Sequence, residues 1–265
     1  MRFCSIASGS SGNCIYVGSD STHILVDAGI SYKKIEAGLN GIGLGVNDLD
    51  AVFVTHEHTD HTAGLGVLLR KKQIPVFASA GTIKGLKRTP SLGYIDDDLL
   101  FPILADFKVT VKDMSLKPMR ISHDANEPLA MRVYSEGKKA GIITDLGTYD
   151  EYTLGCLQGM DILLAESNHD VRMLEVGPYP YPLKRRILSD RGHLSNENCG
   201  RMVSALLHDN IKHIILGHLS KENNLPEIAY ETVRLEITAS HNKYTGNDFP
   251  ISVARRDCPM DVLEI

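Results

Sequence analysis

Side chains able to bind a metal or move a proton crowd one short stretch of this chain. The sequence "THEHTDH", Thr55 to His61, carries His56, His58, Asp60 and His61. Imidazole and carboxylate together suit Zn, Fe or Mn and suit Ca or Mg poorly. In an extended or turning loop, the alternating His56 and His58 face one ion, and Asp60 and His61 reach a second. Such ions turn a bound water into a nucleophile near neutral pH, which makes hydrolysis the natural chemistry. The plain alternative is an accidental His-rich surface loop. Its setting, between an apolar strand pattern and a Gly-broken helix start, argues for function.

Two more histidines occupy near-identical heptapeptides. "GHLSNEN" begins at Gly192 and "GHLSKEN" at Gly217; they differ only at Asn196 against Lys221. His218 closes the apolar run "HIIL", and rigid strand ends hold ligands better than mobile loops. His218 is therefore expected on the metal. His193 follows the polar, basic stretch "LKRRILSDRG" and precedes a helical pattern, so it is expected on the substrate side, with a helix cap as the plain alternative. The two copies are not an architectural repeat, because a helix follows the first and a strand precedes the second.

The elements that must position these groups are short β-type runs with helices interspersed. Strand patterns are read at 22–29, 50–56, 75–80, 107–114, 129–137, 140–147, 161–167 and 213–218. Helical periodicity is read at 62–72, 196–209 and 226–237. This is a mixed α/β layered domain, a single unit over residues 1–265 with no linker or low-complexity segment. Several strand patterns end just before an acidic residue or histidine: His56, Asp145, Glu166 and His218. Polar groups at strand ends converge on one sheet edge, where function is carried.

Composition narrows the classes. The chain has 265 residues, is 43% hydrophobic and carries a formal charge of −5. That is ample for a core, and no apolar run is long enough to span a membrane. No signal-peptide pattern opens it, and its five scattered cysteines contain no Cys-x-x-Cys pair. A disulfide framework and a thiolate zinc site are disfavoured, and a reducing cytoplasm is expected. Eleven histidines leave imidazole and carboxylate as the ligands of any metal. A net acidic protein must meet nucleic acid through a local basic patch.

The motif H-x-H-x-D-H after a strand resembles the signature of the metallo-β-lactamase superfamily, whose fold is an αββα sandwich with a metal pair at one sheet edge. "LVDAG" resembles the early strand ending in a structural aspartate, Asp27. The resemblance implies His123, in "ISHD", as the third imidazole of the first metal, and Asp145, in "TDLG", as the bridging carboxylate. The first ion would then have His56, His58, His123 and Asp145. The second would have Asp60, His61, Asp145 and His218, with Asp60 also able to hold the attacking water. Within the superfamily, "ASGSSGN", "TDLG", "AESNHD", "GHLSNEN" and "LGHLSKENN" resemble the bacterial YycJ/WalJ family, DNA exonucleases related to ribonuclease Z. The resemblance implies two divalent transition-metal ions (zinc first, manganese or iron otherwise) and 5′-to-3′ hydrolysis of DNA rather than RNA. It also implies that His193, partnered by Glu166, protonates the leaving oxygen.

Some features keep two readings. Lys184, Arg185, Arg186 and Arg191 precede His193, as a solvated face or as a grip on the phosphate backbone. The turn Ser8–Asn13 is a hairpin turn or a cradle of N–H groups for phosphate. His169 is left unassigned. The rival activities are hydrolysis of a small ester, thioester or β-lactam, which the same metals serve, and a non-catalytic nucleic-acid-binding module, which a full ligand set disfavours.

Overall fold

The computed structural model describes all 265 residues. Its Cα packing divides the chain into two compact units: Met1–Arg120, Ala125–Lys138 and Arg255–Ile265 in the first, Ile121–Asp124 and Lys139–Ala254 in the second. The strands form two mixed sheets, as the α/β reading expects.

The first unit begins with the antiparallel strands β1 (Arg2–Ala7), β2 (Cys14–Gly18) and β3 (His23–Val26). Helix α1 (Tyr32–Gly41) is capped by the Ser31 hydroxyl and buries Ile35 and Leu39, one turn apart. Then come β4 (Ala51–Phe53), α2 (Thr59–Thr62), α3 (Leu65–Lys71), β5 (Val76–Ala78), α4 (Ala80–Lys87) and β6 (Leu100–Pro102). From β3 onward these strands pair in parallel. Tyr16, Leu25, Val52 and Val76 bury one face against Ile35, Leu39, Leu65, Leu68 and Leu86 of the helices. The antiparallel strands β7 (Val109–Val111), β8 (Met114–Arg120) and β9 (Leu129–Ser135) follow.

The second unit is built on parallel strands, of which the central ones are buried and read as continuous apolar runs. The strands are β10 (Lys138–Ile143), β11 (Ile162–Glu166), β12 (His213–Gly217) and β13 (Ile251–Val253). The crossovers carry α5 (Glu151–Leu157), α6 (Val171–Val176), α7 (Tyr181–Ile187), α8 (Asn196–Leu206) and α9 (Pro226–Ala239). Ser195 caps α8, accepting from the Asn198 N–H. Helices α8 and α9 pack closely at Gly200, where a Cβ would lie 2.5 Å from Glu236 Cβ. The chain then returns to the first unit, where β14 (Leu263–Glu264) pairs antiparallel with β1.

The sequence-read strands and the helices at 196–209 and 226–237 fall on these elements, most with trimmed ends, while β10 starts two residues earlier and α9 ends two residues later than read. Three differences have physical causes. The helix expected over 62–72 is α3, which starts only after Gly64; α2, before it, shares just Thr62 with that span. The run 107–114 turns at Lys112 in a left-handed conformation (φ 48°), so it holds β7 and only the first residue of β8. The basic stretch before His193 is largely helical, as α7, with Pro180 and Pro182 fixing its start.

Candidate active site

In the first unit the donors are arranged around Asp27, directly after β3. Its Oδ1 accepts the Thr55 N–H at 2.8 Å, its Oδ2 accepts the Thr55 hydroxyl at 2.9 Å, and Oδ2 lies 2.7 Å from His61 Nδ1. Because Thr55 spends its hydroxyl proton on Asp27, its oxygen accepts from His56 Nδ1 at 3.1 Å. Both imidazoles thereby have Nδ1 fixed as the donor and Nε2 as the lone-pair atom, the usual outer support of a metal-binding histidine. The rings gather: His56 is 4.5 Å from His58 and 4.1 Å from His61, centroid to centroid. Asp60 Oδ2 is 3.5 Å from His61 Nε2. Gly29 makes this turn possible, since a Cβ there would sit 1.7 Å from the Asp60 carbonyl oxygen.

The turn Ser8–Asn13 belongs to this group. Asn13 Oδ1 accepts from the Ser8 hydroxyl and the Gly9 N–H, at 3.2 and 3.1 Å. Its amide nitrogen therefore faces the other way, 3.1 Å from His61 Nε2. The carboxamide, rather than a row of backbone N–H groups, is what this turn delivers.

In the second unit the C-terminal ends of three parallel strands deliver the donors, because β10–β11–β12 stay in register to their last residues. Asp145 follows β10, Glu166 ends β11, and His218 follows β12. Asp27, Asp145 and His218 all hold left-handed backbones, at φ 65°, 57° and 55°. Non-glycine residues are rarely held so, at a cost of about 1–3 kcal/mol each, and such strain concentrates at functional sites. His123 donates Nδ1–H to the Gly192 carbonyl at 3.0 Å and turns Nε2 toward Asp145 Oδ1, 3.6 Å away.

Glu166 is wholly buried and holds the rest. Its Oε2 accepts the backbone N–H of Leu146 (2.7 Å) and Leu194 (3.0 Å). Its Oε1 accepts Nδ1–H from His193 at 2.9 Å and from His218 at 2.8 Å. Burial opposes its charge, but His193 beside it and the bonds from both histidines outweigh that and hold its carboxyl below the usual carboxylate range. Donor atoms of Asp145, Glu166, His193 and His218 lie within 4.8 Å of one another. His193 is the more accessible imidazole, its side chain 13% exposed against 1% for His218.

The two heptapeptides interlock. Asn196, in the first, exchanges amide bonds with Asn224, which follows the second, at 3.0 and 2.9 Å. Asn196 Oδ1 also accepts from the Ser167 hydroxyl at 2.7 Å, and Asn168 donates to the His218 carbonyl at 2.8 Å. This explains the one difference between the copies: Asn196 is buried in the network, while Lys221 is exposed. These asparagines, like Thr55 and Asn13, were not singled out from the sequence. The asparagines in "AESNHD" and "HLSKENN" were the available signal. His169 is buried, with Nδ1 3.3 Å from Asn168 Oδ1.

The basic run divides. Arg186 forms a two-pronged ion pair with Asp124, Nη2 to Oδ1 at 2.8 Å, and Arg191 donates twice to the His123 carbonyl, at 3.3 and 3.2 Å. These two cations brace the His123 loop. Lys184 donates to the Glu175 carbonyl at 2.7 Å, and the Arg185 guanidinium lies 6.0 Å from the Tyr181 ring centroid.

Comparison with known proteins places this arrangement in context. The β-lactamase superfamily domain model matches residues 22–219. The chain is 41% identical over 233 residues to exodeoxyribonuclease YycJ of Bacillus anthracis, covering 88% of each protein. It is 37% identical over 264 residues to exodeoxyribonuclease WalJ of Streptococcus pneumoniae, covering 100% of this chain and 98% of that one. Among solved structures, the metallo-β-lactamase fold protein YhfI of Bacillus subtilis superposes with a TM-score of 0.73 at 16% identity, over 98% of both chains.

Proposed function

The chain belongs to the β-lactamase superfamily, and on that premise we propose that it is a metal-dependent phosphodiesterase: an exonuclease acting on DNA in preference to RNA, in the 5′-to-3′ direction. The observation that carries this reading is its likeness, over nearly the full length of both proteins, to two exodeoxyribonucleases.

The donor set fits divalent metal. His56, His61, His123 and His218 each have Nδ1 engaged by an oxygen, from Thr55, Asp27, Gly192 and Glu166 respectively, which leaves Nε2 as the ligating atom. We assign His56, His58, His123 and Asp145 to one ion and Asp60, His61, Asp145 and His218 to a second, with zinc first and manganese or iron as substitutes. Residues 1–265 are read as a single functional domain.

Bound there, the ions would supply a hydroxide nucleophile and neutralise phosphate charge. The chain's own groups do the remainder. Asp60 accepts a hydrogen bond from the attacking water and aims it. His193 gives the proton of its outward Nε2 to the leaving oxygen, and Glu166 fixes Nδ1–H as the other donor. Lys184, Arg185, Arg186 and Arg191 give the strand a positive approach, Arg186 and Arg191 also bracing His123. No helix is long and apolar enough to cross a membrane, and five free thiols suit the reducing cytoplasm where we place the protein.

The test is digestion of end-labelled single- and double-stranded DNA and RNA by metal-reconstituted protein, with metal content measured in parallel. Mononucleotides released from the 5′ end of DNA, with two ions per chain, are expected. Intact DNA in the presence of fully loaded protein refutes the reading.

A further inference from the structure

Helix α7 presents a hollow on its exposed side. It has a volume of about 320 Å³ and is lined by Glu175, Tyr181, Lys184, Arg185 and Leu188. That is within the range of small-ligand sites, roughly 300–1,000 Å³. Its walls are unusual for open surface. Tyr181 is 72% exposed, and Leu188 and nearby Val176 are also exposed.

The chemistry of the walls selects one kind of occupant. An aromatic ring with a guanidinium 6.0 Å from its centroid offers two π-faces for a flat, electron-rich group. The Lys184 ammonium is tethered by one proton to the Glu175 carbonyl, which keeps it at the rim with two protons to give. Stacking face plus cation is the combination that holds a base and its phosphate in single-stranded nucleic acid. The lining sets two cations, Lys184 and Arg185, against one carboxylate, Glu175, so the hollow is locally cationic in a chain whose net charge is −5.

The hollow is also tied to the chemistry. The His193 N–H donates to the Ile187 carbonyl at the end of α7 (3.0 Å), and the Gly192 N–H donates to the Ser189 carbonyl (2.8 Å). Leu188, in the wall, and His193 are joined by a tight turn of the chain. Five residues span at most roughly 18 Å even when extended. A strand stacked on Tyr181 is therefore held within a few nucleotides of His193.

We infer that the hollow of Tyr181, Lys184 and Arg185 is a subsite for a nucleotide of single-stranded nucleic acid, flanking the bond to be cut. This rests on the phosphodiesterase reading and adds a site to it. The occupant binds without base identity, because every base has a π-face. The subsite serves long substrates only: a nitrophenyl ester of a single nucleotide does not reach it.

The experiment compares Tyr181→Ala and Tyr181→Phe with the parent protein on a single-stranded decadeoxynucleotide and on thymidine 5′-(p-nitrophenyl phosphate). Anisotropy of the labelled decamer reports binding separately from cleavage. For Tyr181→Ala, KM and Kd for the decamer should rise about 5- to 100-fold, the usual range for one stacked base, with kcat within about twofold. Tyr181→Phe should restore both, since it keeps the ring. Kinetics on the small ester should not change. An unchanged KM and Kd on the decamer overturns the subsite, as does an equal loss on both substrates, which would mark Tyr181 as structural. If Tyr181→Ala instead converts a dimer to a monomer, the hollow belongs to a second copy and the inference is overturned. A parent protein that binds the decamer through Tyr181 without cutting it sinks the nuclease reading and leaves the subsite standing.

Discussion

Glu166 Oε1 accepts a hydrogen bond from His193 Nδ1 at 2.9 Å and from His218 Nδ1 at 2.8 Å, so one carboxylate oxygen orients both histidines of the twin heptapeptides. Its second oxygen is filled by two backbone donors. A glutamine here would offer an NH2 group toward at least one pair of these donors. Glu166→Gln should therefore disturb the proposed acid and the proposed ligand together. We expect metal affinity and rate each to fall about 10- to 100-fold or more. Elemental analysis after dialysis, alongside nuclease rates, checks this; full metal retention would confine Glu166 to His193.

The two histidines should fail differently despite that shared partner. His218→Ala should lower metal occupancy, with partial rescue by excess metal. His193→Ala should keep its metals and lose roughly 10²–10⁴ in rate on DNA, the scale of a positioned proton donor. On a nitrophenyl phosphodiester, whose leaving group needs little protonation, the His193→Ala defect should shrink and the His218→Ala defect should persist. Equal defects of His193→Ala on both substrates would remove it from the role of acid.

Donors that are neighbours in sequence were legible in it. "THEHTDH" announces its chemistry because four donors share one turn, and the strand-end residues Asp145, Glu166 and His218 stand out where apolar runs stop. The sharing of Glu166 was not legible. It follows from the parallel register that sets Glu166 opposite Gly217, one residue before His218. Asn13 was hidden for a related reason. Its turn reads as generic Ser/Gly, and only the bonds that fix Oδ1 show which way the amide points. The helix α7 was masked by its own surface role, since exposed cations and prolines hide the period of a seven-residue helix.

Asp27 makes a prediction in the first unit. It accepts from the Thr55 N–H and hydroxyl and from His61. Asp27→Ala strands these buried donors, at about 1–3 kcal/mol for each left unsatisfied. It also frees the His61 ring to turn or change tautomer. Denaturant unfolding should register the loss of stability, and metal titration a drop in affinity of about 10- to 100-fold. A variant as stable as the parent with undiminished affinity would show that neither histidine depends on this carboxylate.

His169 yields a pH dependence with a definite sign. Its Nε2 is buried and has no hydrogen-bond partner. Burial pushes the imidazole down to about 4, against the opposing pull of the Glu166 charge. In the unfolded chain an imidazole titrates near 6.5. Above about 6.5 neither state carries the proton, and the full stability is present. As pH falls from about 6.5 toward 4, the unfolded chain takes up a proton that the folded one refuses. Stability is lost across that window, by up to about 3 kcal/mol. His169→Asn cannot titrate, so its stability should fall less steeply between pH 6.5 and 4.5, even if it starts lower at pH 7. Urea unfolding of both proteins, with chelator present so that metal release does not contribute, measures the two slopes. Parallel slopes would mean that His169 takes up its proton in the folded protein as readily as in the unfolded chain, and that its burial imposes no cost on the charged form.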